Sequence, residues 1–426
     1  MLTLGVIADD FTGATDVASM LVRAGMRTAQ LIGVPDADRA PPPADAIVVA
    51  LKTRTNPAEA AVRESLAALA WLRRAGMRQC YFKYCSTFDS TPAGNIGPVT
   101  DALMDALGAD FTLACPAFPE NGRTIFRGHL FVGDALLSDS GMRDHPLTPM
   151  RDANLVRVLQ AQTRRKVGLI RHDAIAQGVG AVAEQVEALR AAGAGIAIAD
   201  AIDNDALRTL AAIAADWPLV TAGSGLALGL PLAYAERGWV QPDADVARLS
   251  AITDPRAALL SGSCSQATLA QVQHWRVAGR PAFAIDPRAI ARGEPVAEQA
   301  LAWADERLAR EPVLIYASAA PEALRVVQAE LGATRAGEMV EHCLAQIAQA
   351  LVRTRGVQRL VVAGGETSGA VVNALGITQL RIGATICPGV PWTEADHDRP
   401  LHLALKSGNF GTSDFFARAL AQDPAP

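Results

Sequence analysis

Three aspartates stand close together near the start of the chain. The stretch ADDFTGATD places Asp9, Asp10 and Asp16 around Thr12 and Gly13, where the apolar run LTLGVIA passes into a helical pattern. Ligands of doubly wound folds gather at the carboxyl ends of strands, so this cluster is well placed for a ligand site. A helix cap and a crowding-relief glycine account for two of the five residues, and three closely spaced acids exceed that need. A second set follows in KYCSTFDSTPAGNIG, from Lys83 to Gly97. Ser86, Thr87, Ser90 and Thr91 are hydroxyl donors for a polyol or carboxylate, Lys83 is a neutralising charge and Asp89 an acceptor for a hydroxyl proton. Lys83 ends an apolar strand, and a buried ammonium there requires a ligand or a carboxylate beside it. In CPAFPENGRTI, Asn121 and Arg123 fall on a loop shaped by Pro and Gly, and a guanidinium fork matches a carboxylate in two parallel hydrogen bonds.

The second half repeats a different chemistry three times. VVAGGETSGAVVNALG reads as strand, Gly-Gly turn and helix, so the amides of Gly364, Gly365, Glu366 and Thr367 are expected to form an anion-binding concavity at a helix N-terminus. SGSCSQAT presents Ser263 on a similar turn, and LKSGNFGTSDFF presents Lys406 and Gly408, with Lys406 expected near phosphate or paired with an acid. Three such turns after apolar strands can converge on one triphosphate. Neither a GKS/GKT loop nor GxGxxG is present, which points to a kinase lineage of another kind.

The elements that must position these residues alternate short Val/Ile/Leu runs with longer helical-period segments, the pattern of parallel sheets wrapped by helices. Seven strand candidates, at 2–8, 46–51, 80–85, 111–118, 167–170, 195–199 and 218–223, make one domain. Six more, at 257–263, 282–285, 313–318, 359–365, 377–386 and 401–408, make another. The expectation is an α/β chain of two doubly wound domains with mainly parallel sheets and the active site in the cleft between them. Residues 1–235 form the first domain, 236–254 a polar linker and 255–426 the second. A length of 426 residues suits two cores.

Composition excludes several classes. The formal net charge is −5, so no basic field exists to hold nucleic acid. No apolar run is long enough to span a membrane, and the N-terminus has no secretory pattern, which implies a cytoplasmic protein. The six cysteines lack a CxxC pair and read as reduced core thiols, while the seven histidines show no metal spacing. SGSCS is not a GxSxG elbow, which sets aside a serine hydrolase using Ser263.

Taken in order, ADDFTGATD, KYCSTFDSTPAGNIG, PAFPENGR, SGSCS, GGETSG and LKSGNFG resemble the four-carbon acid sugar kinase family from residue 2 to about 416, and the CSTFDST wording is similar to that of its 3-oxo-tetronate branch. The resemblance implies ATP and Mg2+ as cofactors, an N-terminal acid-binding domain, a C-terminal nucleotide-binding domain and transfer of the γ-phosphoryl group to the terminal hydroxyl of the acid. By motif it implies nucleotide contacts at Ser263, Gly364, Gly365, Glu366, Thr367 and Gly408. Acid-binding residues come from Lys83, Ser86, Thr87 and Arg123, and the base from Asp9, Asp10 or Asp89, with metal ligands unassigned. Partners are the sugar acid and ATP, with neither nucleic acid nor membrane, and a homodimer is compatible. Threonate or erythronate kinases of the same family, and a non-catalytic sugar-acid sensor, are the competing readings.

Overall fold

A computed structural model describes residues 2–145 and 148–422. Two compact units meet in the chain between Val246 and Ala247. In the first, eight parallel strands form a sheet: β1 (Leu4–Ala8), β2 (Thr28–Ile32), β3 (Ala46–Ala50), β4 (Gln79–Lys83), β5 (Thr112–Cys115), β9 (Lys166–Ile170), β10 (Ala194–Ala199) and β11 (Leu219–Ala222), in the order β2-β3-β1-β4-β11-β5-β10-β9. A separate antiparallel ribbon joins β6 (Arg123–Phe126), β7 (His129–Val132) and β8 (Ala135–Leu136). The central strands LGVIA, AIVVA and QCYFK are buried along their whole length. Parallel strands covered by helices on both faces need no polar side, which is why these runs do not alternate.

Strand order fixes where a ligand can bind. The chain leaves β1 for β2 on one side, returns through β3, and crosses to β4 on the other, so the order reverses between β1 and β4. A crevice opens at the carboxyl ends of strands at such a reversal. Ala8 is in register with Lys83 there, so Asp9, Asp10 and Lys83 emerge side by side. Helix α1 (Phe11–Arg23) begins immediately afterwards and is buried through Val22, while α2 (Ile96–Leu107) follows the Lys83–Gly97 segment.

The second unit repeats this plan with β12 (Ala257–Ser261), β13 (Ala282–Ala284), β14 (Val313–Tyr316), β15 (Arg359–Ala363), β16 (Gln379–Cys387), β17 (Val390–Ala395) and β18 (His402–Lys406), ordered β13-β14-β12-β15-β18-β17-β16. Pairing is parallel from β13 to β18 and antiparallel through β17 and β16. The reversal falls between β12 and β15, where Ser261 is in register with Ala363. Helices α3 (Gln266–Val277) and α5 (Gly365–Leu375) start from these two strand ends, with α4 (Ala333–Arg353) between them in sequence. Trp275, Trp392, Phe415 and Phe416 fill the core beside this sheet, and truncating such an aromatic to alanine costs about 3–5 kcal/mol.

The strand expectations missed β2, the ribbon β6–β8 and β17. Buried Gln30 interrupts the apolar run of β2, and Pro391 and Glu394 interrupt that of β17. Among the described residues no helix is long and apolar enough to cross a membrane.

Candidate active site

At the carboxyl end of β1 the Asp9 amide donates to Lys83 O at 3.1 Å, and Asp9 O accepts from Thr53 and Arg54. This draws the Arg54 side chain over both acids. Its Nε and Nη2 donate to Asp9 Oδ2 and Oδ1 at 2.9 and 2.7 Å, and Nη2 also donates to Asp10 Oδ1 at 2.5 Å. Thr12 Oγ1 donates to Asp10 Oδ2 at 3.0 Å. Asp10 holds the N-cap position of α1, but its carboxylate is spent on Arg54 and Thr12 rather than on a simple cap. Burial alone would raise its pKa; Arg54 and Lys83 outweigh that and hold it at about 2. Burial pushes Asp9 upward even against Arg54, because one guanidinium charge is shared between two carboxylates. Neither acid is therefore a free base, which narrows the three candidates for that role.

Lys83 is 3% exposed, and its Nζ lies 3.7 Å from Asp10 Oδ1. The approach crosses Gly13, where a β-carbon would sit 2.1 Å from both atoms. One turn along α1, Asp16 is buried with Oδ1 unpartnered among the described residues. Burial raises its pKa to about 6 against the charges of Lys83 and Arg123 and the hydroxyl of Ser224. Among the described residues Arg123 Nε and Asn121 Nδ2 are also buried and unpartnered, and Ser224 Oγ meets no partner beyond Asp16.

Arg123 was expected on a loop; it begins strand β6 instead, after a 3-10 turn at Pro119–Asn121 and Gly122 at φ 68°. Its Nη1 donates back to Asn121 O. The β6–β7 turn, Arg127-Gly128, has positive φ at both residues, as a two-residue hairpin requires. Asp200 anchors that turn by accepting from the Arg127 and Gly128 amides at 3.0 and 2.8 Å. The ribbon thereby fixes Arg123.

The segment after Lys83 is held from several sides. Thr87 is buried and donates to Asp89 Oδ1 at 2.6 Å, while Ser86 is half-buried in the turn. Phe88 is fully buried at φ 52°, a backbone region costly for an aromatic residue, and its burial holds the turn in place. Asn95 Nδ2 donates to the carbonyls of Thr53, Arg54 and Asn56, tying this segment to the loop that carries Arg54. Burial pushes the Cys85 thiol up to about 12, so it is a packed thiol rather than a nucleophile. Arg54, Asn95 and Ser224 were missed by sequence reading. Arg54 had one signal, a cation just beyond the strand at 46–51.

In the second unit three glycines let three strand ends nest. A β-carbon at Gly262 would lie 2.3 Å from Thr367 Oγ1, one at Gly364 would lie 2.9 Å from the same oxygen, and one at Gly408 would lie 2.6 Å from Ser263 Oγ. Ser265 Oγ and Thr268 Oγ1 donate to Gly408 O at 2.5 and 2.9 Å, binding the third turn to the first. The Gly364 amide does not face a ligand as expected; it donates to Lys406 O at 2.8 Å, bridging β15 to β18. The first turn of α5 therefore begins at Gly365, followed by Glu366 and Thr367, whose amides lie at the helix N-terminus. A cavity of about 690 Å3 opens here, lined among others by Ser263, Gly365, Glu366, Thr367, Ile285 and Tyr316.

Lys406 departs from its expected place at phosphate. Its side chain is fully buried, and Nζ donates to Thr268 Oγ1, Ser407 O and Gly408 O at 3.0, 2.8 and 2.9 Å. Burial lowers its pKa to about 7. It braces the third turn from behind. Among the described residues no three His, Cys, Asp or Glu side chains gather as a metal site.

Two domain models match the chain: a sugar-binding N-terminal domain over residues 4–230 and a nucleotide-binding C-terminal domain over 258–416. A 3-oxo-tetronate kinase of Cupriavidus necator is 61% identical over 421 residues, covering 98% of this chain and 96% of its own. The Salmonella typhimurium 3-oxo-tetronate kinase is 47% identical, covering 98% and 99%. A crystal structure from Salmonella typhimurium LT2 superposes with a TM-score of 0.87 at 46% identity, and one from Haemophilus influenzae with 0.78 at 45%, each covering 98% of this chain and 99% of its own. With both domain models in sequence order and near-full-length relatives at this identity, the chain belongs to the four-carbon acid sugar kinase family.

Proposed function

We propose that this chain is an ATP-dependent kinase that phosphorylates the terminal O4 hydroxyl of 3-oxo-tetronate, giving the 4-phosphate and ADP. The observation that carries the reading is the presence, on one chain, of two strand-order reversals with opposite chemistry. One gathers Lys83 and Arg123 among hydroxyls in the part matched as sugar-binding. The other nests three glycine turns around a cavity in the part matched as nucleotide-binding.

Lys83 and Arg123 neutralise the carboxylate of the acid, and Ser86 and Thr87 serve its oxygens. Asp9 and Asp10 hold Arg54 and Lys83 in place, and Asp89 holds Thr87. The amides of Gly365, Glu366 and Thr367 take phosphate oxygens, with Ser263 and Gly408 shaping the cradle, and Ile285 and Tyr316 offer an apolar wall for the base. Magnesium enters on the nucleotide, as part of the MgATP substrate. Phosphoryl transfer depends on positioning and charge neutralisation more than on covalent chemistry, which suits a site made of fixed amides and cations. The family setting also supports a cytoplasmic location.

The test is a coupled ADP-release assay over a panel of four-carbon acids, with the phosphorylated position read by phosphorus NMR. Fastest turnover on 3-oxo-tetronate with phosphate on O4 is expected. Faster turnover on threonate or erythronate would move the assignment to a sister activity, and acid binding without ADP release would make the protein a sensor.

A further inference from the structure

The cluster around Asp16 contains more than acid binding requires. Asp16 is 4% exposed and Ser224 1%, yet among the described residues Asp16 Oδ1, Arg123 Nε and Asn121 Nδ2 lack partners, and Ser224 Oγ has none beyond Asp16. A buried polar atom without a partner costs about 1–3 kcal/mol, and Arg123 and Ser224, which act on Asp16, with Asn121, whose carbonyl accepts from Arg123, mark a position that a ligand completes. Three donors alone would suit a second carboxylate. The acceptor oxygen among them repels one, and the set instead matches a hydroxyl, which donates to Asp16 and accepts from its neighbours.

The aspartates divide by environment. Asp9 and Asp10 are both locked to Arg54, which holds Asp10 near 2 although burial raises Asp9, whereas among the described residues Asp16 has no guanidinium in ion-pair contact and burial brings it to about 6. Carboxylates whose surroundings drive them apart in this way take different roles, and the one nearer neutrality is the better proton acceptor. The groups facing Asp16 are Lys83 and Tyr81 from β4, Asp10 from the turn before α1, Arg123 from β6 and Ser224 from the turn after β11.

We propose that Asp16 is the catalytic base of the phosphoryl transfer, its free oxygen receiving the proton of the acceptor hydroxyl, and this rests on the kinase reading given above. As the O4–Pγ bond forms, the hydroxyl proton passes to Asp16 Oδ1. The bond from Pγ to the bridging oxygen breaks, and its electron pair leaves with ADP. Asp16 then returns the proton to solvent as the product departs, so no further reactant is needed. Ser224 and Asn121 hold the oxygen against Asp16, while Arg123 stays with the carboxylate of the acid.

The experiment compares wild type and Asp16→Asn with MgATP and 3-oxo-tetronate from pH 5 to 8.5. The expected result is a fall in kcat of about 10²–10⁴-fold with the KM for ATP within about threefold, and a wild-type kcat/KM that drops below about pH 6 with a limb the variant lacks. An Asn variant with more than a third of the wild-type kcat would overturn the proposal. So would a loss confined to the KM of the acid, or a wild-type profile flat across pH 5–7, which decides the matter even if the variant does not fold. Absence of ADP release by wild type with any four-carbon acid overturns the kinase reading, a failure distinct from an active Asp16→Asn enzyme.

Discussion

Lys83 Nζ stands 3.7 Å from Asp10 Oδ1 directly over Gly13, in the space that any side chain at that position would need. Alanine is the better helix former, so a Gly13→Ala substitution inside α1 would ordinarily add about 1 kcal/mol of stability. Here the methyl would lie 2.1 Å from both charged atoms and must push the ammonium aside. We expect kcat/KM for the acid to fall about 100-fold, as misplacing a substrate-holding group by an ångström does, with no rise in Tm. Steady-state kinetics and calorimetry of the variant check both.

Arg54 is the counter-ion of two buried carboxylates, so its removal exposes their mutual repulsion. Arg54→Ala should cost about 3–5 kcal/mol at pH 7, measured by urea unfolding. Asp10, held at about 2 in the wild type, contributes stability that is present above its unfolded value of 3.8 and lost as pH falls toward 2. That acid-side dependence should be much shallower in the variant.

Lys406 predicts the opposite pH sense. Its pKa is lowered from 10.5 to about 7, so between those values the unfolded chain binds the extra proton and the contribution of this residue to stability rises with pH. Lys406→Met should abolish that slope. It also removes the donor that braces Ser407 O and Gly408 O, and we expect the KM for ATP to rise about tenfold while the KM for the acid stays within twofold.

Gly408→Ala tests the nucleotide cradle without touching charge. The new methyl would sit 2.6 Å from Ser263 Oγ and 3.0 Å from Ser265 Oγ, so the first and third turns must separate. A rise of at least tenfold in the KM for ATP, with acid binding unchanged by calorimetry, is the expected outcome.

Asp16 carries a stability cost that its substitution should reveal. Its folded pKa is raised from 3.8 to about 6, so the folded state retains a proton that the unfolded chain has released, and stability falls as pH rises through that interval. Above it the penalty is complete, about 3 kcal/mol for two pKa units at 1.36 kcal/mol each. Asp16→Asn should therefore raise Tm at pH 8 and leave it unchanged at pH 4.

Much of this arrangement was legible in the residues. The ends of β1, β4, β12 and β15 carry ADDFTGATD, Lys83, SGSCS and GGETSG, and apolar runs before them marked the strands. What could not be read was anything set by two distant segments meeting. Asn95 holds the Arg54 loop through three carbonyls that no spacing announces, and Ser224 reaches Asp16 from the end of a strand two hundred residues along the chain. Lys406 shows the same limit in reverse. A lysine beside glycines suggests phosphate, yet the adjacent carbonyls and Thr268 capture it from within. Charge type was visible, and its direction was not.

The nesting of Gly262, Gly364 and Gly408 has a consequence for how this protein can change over generations. A β-carbon on any of these glycines would fall within 3.0 Å of a hydroxyl in the cradle, so none can acquire a side chain while its neighbours stay as they are. Drift in these loops has to be concerted or absent, whereas the outer faces of the helices are free to vary one residue at a time.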